Sequence, residues 1–79
     1  MCPKFFADWL KLNNLRAAWE PTDDEEDRNF LVDIIAPSGL VLFWVTYAHG
    51  ERGERVIISH GRHGGSRIAR TVDDLAGLV

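Results

Sequence analysis

The sequence predicts an α+β domain: an antiparallel sheet of about four strands centred on a hairpin over residues 30–47, with an N-terminal helix and a short C-terminal helix. Three observations predict it. Residues 30–47 read FLVDIIAPSGLVLFWVTY, two β-branched and aromatic runs flanking Pro37-Ser38-Gly39, which is a strand–turn–strand signature. Residues 3–14 carry apolar side chains at helical spacing. Thr71-Val72-Asp73-Asp74 has a hydroxyl at a cap position and acid in the turn after it, the usual start of a helix.

Taken in order, Pro3 suits a first helical turn, where its missing N–H costs nothing. Phe5, Trp9 and Leu12 then lie at i, i+4 and i+7, with Phe6 and Leu10 beside them and Lys4, Asp8 and Lys11 opposite. That is an amphipathic helix, and its apolar stripe is expected to pack on the core. Asn13-Asn14 is a plausible stop. Leu15 to Glu20 reads either as a continued helix or as a first strand; the asparagine pair before it and Pro21 after it favour the strand. Residues 21–28, PTDDEEDR, hold five consecutive carboxylates and are expected to be a solvated loop.

In the hairpin, Phe30, Val32, Ile34 and Ala36 fall on one face, and Leu31, Asp33 and Ile35 on the other. The second arm alternates Leu40, Leu42, Trp44 and Thr46 against Val41, Phe43, Val45 and Tyr47. Both faces are apolar, so this arm is expected to be a central strand covered on both sides, at least partly by the helices. His49 to Glu54 reads as a polar turn, Arg55 to His60 as a further strand, and Ser66 to Arg70 as a short edge strand after the glycine-rich GRHGG.

Seventy-nine residues make one domain, 1–79, whose small core is helped by three Trp and four Phe. Cys2 is the only cysteine, so an intrachain disulfide is excluded and a reducing compartment is expected. No run approaches the ~18 apolar residues of a membrane span, and the N-terminus lacks the pattern of a secretory signal. A soluble, cytoplasmic chain is expected.

The net charge of −3 is unevenly spread. Residues 1–40 carry four basic and eight acidic side chains, and residues 41–79 carry five basic and four acidic ones. Two candidate binding surfaces follow. One is the acidic run Asp23, Asp24, Glu25, Glu26 and Asp27, whose carboxylates can dock on a Lys/Arg patch of a partner or imitate the spacing of phosphates. The other is the arginine set Arg52, Arg55, Arg62, Arg67 and Arg70, which can contact a protein or a nucleic acid.

Other chemistries find little support. His49, His60 and His63 invite a metal reading, but neither HExxH nor paired CxxC is present. GRHGG matches neither the Walker nor the dinucleotide loop, and Ser59-His60 is not a triad. The expectation is a chain with no catalytic residues, no metal and no cofactor.

The segments MCPKFFADWLKLNN, PTDDEED and GRHGGSRIAR belong to a very short chain with aromatic-rich packing and segregated charge. In that overall character, and not through a shared motif, it resembles the small phage-encoded inhibitors, most of all the anti-CRISPR proteins that block type I effector complexes. The resemblance implies a non-enzymatic protein in the host cell cytoplasm. Such a protein binds a Cascade-type complex and prevents recognition of target DNA. Two other readings stay open: a nucleic-acid-binding regulatory module using the 52–70 arginines, and an immunity- or antitoxin-type protein paired with one cognate partner. A monomer or a weak homodimer is expected, with no membrane partner.

Overall fold

A computed structural model describes residues 2–19, 31–50, 53–59 and 66–78. Helix α1 spans Lys4–Leu12. The strands are β1 (Arg16–Ala17), β2 (Val32–Ile35), β3 (Val41–Gly50), β4 (Gly53–Ser59) and β5 (Ser66–Ala69), followed by a 3-10 turn over Val72–Leu75. The strands form one antiparallel meander in the order β1-β2-β3-β4-β5. β3 is central, as its composition suggests.

α1 ends where the asparagines stand, for a definable reason. Asn14 takes the left-handed conformation, with φ of 57°, which Asn tolerates better than most side chains. The Leu15 N–H then donates to the Leu10 carbonyl at 2.8 Å and the Asn14 N–H to the Lys11 carbonyl at 3.2 Å. This is the Schellman pattern. It reverses the chain, so that Leu15 packs against the core and Arg16–Ala17 pair with Ile35 and Ile34. The segment after the helix is therefore a strand, which brings the count to five where about four were expected.

Gly39 carries the reversal between β2 and β3. Its φ is +91°, its N–H donates to the Ala36 carbonyl and the Ala36 N–H to the Leu40 carbonyl, both at 2.9 Å. A three-residue loop with glycine in the left-handed region suits a hairpin. The pairing then slips once. Ile34 faces Phe43 and Ile35 faces Val41, so Leu42 is an extra residue, a bulge. Leu42 is thereby carried to the core cluster, although simple alternation groups it with Trp44. The β3–β4 pairing runs on to Gly50 opposite Gly53, so the expected turn over residues 49–54 is mostly strand.

One face of the sheet is the core. Val32, Ile34, Phe43, Val45, Tyr47, Val56, Ile58 and Ala69 are buried there, beneath Phe6, Trp9 and Leu10 of α1 and beside Leu75 of the 3-10 turn. The helix is seated through rings. Phe6 stacks on Trp9 at 5.7 Å, meets Tyr47 edge-on at 6.2 Å, and Trp9 tilts against Phe43 at 6.2 Å. Such contacts add about 0.5–1.5 kcal/mol each beyond burial. Leu12, at 81% exposure, does not share in this; it lies on the outer flank of the helix, beyond half-buried Phe5.

Two expectations need correction. The C-terminal segment is a single 3-10 turn and not a helix, because Ala76 is extended (φ −58°, ψ 135°) and Gly77 is left-handed (φ 86°). β3 is covered by α1 on one face only; among the described residues nothing covers the other. Phe30, the acidic run Asp23–Asp27, Arg52, His60, Arg62 and His63 lie outside the described residues.

Truncating Phe6 to Ala is expected to cost about 3–5 kcal/mol, as for other buried aromatics, read by urea denaturation. Leu12→Ala is expected to stay within about 0.5 kcal/mol. Equal losses at the two positions would contradict this seating of the helix.

Candidate interaction surface

Among the described residues, no element packs on the sheet face opposite α1. Side chains alternate across a strand, so the residues between the core positions of β2, β3, β4 and β5 all point to it. The register aligns them in rows. Thr46, Ile57 and Ile68 lie side by side, as do Asp33, Trp44, Ser59 and Ser66. Arg16 opposes Ile35 at one margin, and Ala48 opposes Arg55 at the other. Leu31, one residue before β2, falls on the same side as Asp33.

The result is an apolar strip with charged margins. Ile68 is 47% exposed, Leu31 53% and Val41 37%. Trp44, Ile57 and Ile35 are half-buried, and Thr46, in the row with Ile57, is buried. Strips of this kind on a small protein mark contact surfaces more often than solvated ones. Arg55 reaches along the face towards the hairpin end, where a side chain added at Gly50 would bring Cβ within 3.3 Å of its Nη1. A larger residue at position 50 needs the Arg55 guanidinium to give way by a few tenths of an ångström.

The arginines named from sequence divide in three. Arg55 is on the open face. Arg67 turns the other way: it pairs with Ile58 on the covered side, and its Nη1 donates to the carbonyls of Asp74 (3.3 Å) and Ala76 (3.2 Å). Its guanidinium ties the 3-10 turn to β5. Arg70 is exposed just past β5, and its backbone N–H donates to the Asp74 carboxylate at 2.9 Å. The set is thus not one patch. Arg16 was not among the sequence candidates, and the charge pattern offered no signal for it; only the pairing with Ile35 places it beside the strip.

Asp74 has a perturbed carboxyl. The Arg70 N–H is the main cause, followed by the Thr71 N–H at 3.2 Å, and together they hold the carboxyl below its ordinary value of 3.8. A carboxylate that gains such donors favours its charged form in the folded state.

A second feature lies at the β1 edge of the fold, where Arg16 borders it as well as the strip. A cleft of about 410 Å³ opens between α1, the chain from Leu15 to Trp19, and Tyr47, with Cys2 in its wall. No group of three or more His, Cys, Asp or Glu that could hold a metal occurs among the described residues. No helix there is long and apolar enough to cross a membrane. Comparison of the chain with family models, with curated proteins and with solved structures gave no match.

Asp74→Asn is expected to destabilise the fold at neutral pH. Because the folded pKa is depressed, the stabilisation is present above the ordinary carboxylate value and is lost as pH falls through the folded one. Thermal midpoints of the two proteins should therefore differ at pH 7 and converge in strong acid. A gap that stays constant over that range would contradict the assignment. Arg67→Gln is expected to cost about 1 kcal/mol through loss of the two carbonyl contacts.

Proposed function

We propose that this chain is a small non-enzymatic inhibitor that binds a larger nucleoprotein complex. The target is a type I CRISPR effector complex, and the outcome is loss of target DNA recognition. The observation that carries the binding reading is the uncovered sheet face. A tryptophan and isoleucines between arginines have the composition of a protein-binding patch, where aromatic side chains and Arg are enriched. A flat strip suits inhibition by occupancy better than turnover, since catalytic sites are concave. The choice of target rests on the likeness in size, aromatic packing and segregated charge to the phage-encoded inhibitors.

One feature favours a second reading, a nucleic-acid module. Trp44 and Arg55 share an open antiparallel sheet, and unpaired bases stack on such platforms. The net charge of −3 weighs against it.

The two readings part in a gel shift with an assembled effector–guide complex and its target duplex. The protein is expected to abolish the shift while leaving naked duplex and single-stranded RNA unshifted. Trp44→Ala is expected to weaken inhibition by about 2 kcal/mol, roughly 30-fold, with the circular dichroism unchanged. Tight binding to free nucleic acid would establish the second reading instead. A complex that still binds its target would dismiss the effector as partner.

A further inference from the structure

The cleft beside α1 has a chemistry of its own. Its wall is mostly apolar, formed by Ala7, Leu10, Leu15, Ala17 and Trp19, with the ring of Tyr47. Lys11 and Arg16 also line it, and no carboxylate of the described residues does. Among the described residues neither cation has a side-chain hydrogen bond or an ion pair. Lys11 stands in the last turn of α1, and Arg16 follows the reversal at Asn14, so the Schellman turn is what brings both charges to one opening. Two cations at an apolar recess, without a partner among the described residues, favour a negatively charged group where a ligand would enter.

Size narrows the ligand. Small-molecule sites run from about 300 to 1,000 Å³, and a cavity of about 150 Å³ takes benzene. A cleft of about 410 Å³ therefore has room for about two rings or a chain of about ten carbons.

We propose that this cleft binds a small free monocarboxylate with an apolar body, the body lying along Leu10, Leu15 and Trp19 and the carboxylate held by Lys11 and Arg16. A carboxylate makes charge-assisted hydrogen bonds with both side chains, while the recess removes the apolar body from water. The proposal shares Arg16 with the margin of the open sheet face, whereas Lys11, Leu10 and Ala7 line the cleft alone, so variants at Lys11 and Ala7 separate it from the docking role of that face.

Cys2 provides the reporter, because it lines the same cleft and its thiol is in no disulfide. The rate of Cys2 alkylation by iodoacetamide is measured in the full chain against increasing decanoate, below its micelle concentration, with decan-1-ol as the neutral control. Decanoate is expected to slow alkylation at least fivefold and saturably. The double variant Lys11→Gln/Arg16→Gln is expected to require at least tenfold more decanoate, with its response to decanol unchanged. Ala7→Phe, at an exposed helical position, fills the cleft and is expected to abolish the decanoate effect while circular dichroism confirms the fold. No saturable protection by decanoate would overturn the proposal. So would equal protection of the double variant, or an undiminished decanoate effect in Ala7→Phe.

Discussion

An α-helix rises about 1.5 Å per residue, so the nine residues of α1 make a rod of about 14 Å. Strands stand about 4.8 Å apart, so a sheet of five is about 19 Å wide. One such helix, with a 3-10 turn beside it, covers one face of that sheet, and among the described residues nothing covers the other. The aromatic contacts from Phe6 and Trp9 to Tyr47 and Phe43 decide which face is covered. Every other surface follows from that choice. The strip around Trp44 and Ile57 has no described element over it because the helix lies on the opposite side. The cleft at Cys2 and Trp19 is the space left where the helix turns back into β1.

Local signals made much of this legible in the sequence. Asn13-Asn14 marked the end of the helix because few other residues accept a left-handed conformation there. Pro37-Ser38-Gly39 marked the hairpin, and the alternation through Val32, Ile34, Phe43, Val45 and Tyr47 separated core from outside. The errors came where local pattern and global geometry part. A strand apolar on both faces has the same pattern whether both are covered or only one, and among the described residues β3 has one face covered. The bulge at Leu42 is invisible to alternation, since it depends on the register set by Ile34 and Ile35. Thr71 and Asp74 gave the right cap, but an extended Ala76 and left-handed Gly77 end the turn before it becomes a helix.

The candidate surface was less legible than the fold. Arginine clustering in sequence suggested one basic patch, yet the meander sends Arg55 and Arg67 to opposite faces. Strand direction reverses and faces alternate, so near neighbours in sequence part company in space. Arg67 is then held by the carbonyls of Asp74 and Ala76, a role that no spacing rule reveals. The apolar strip, by contrast, was written in Trp44, Ile57 and Ile68 as an excess of hydrophobic residues beyond what one core needs.

The central claim is that the sheet has one covered and one open face, and the five isoleucines divide between them. Ile34 and Ile58 are fully buried in the core, whereas Ile35, Ile57 and Ile68 are on the other side. Methyl NMR of isoleucine-labelled protein with a soluble paramagnetic agent reads this directly. Broadening of the Ile35, Ile57 and Ile68 signals, with Ile34 and Ile58 left sharp, is the predicted result. Ile57 and Ile68 as well protected as Ile58 would contradict it.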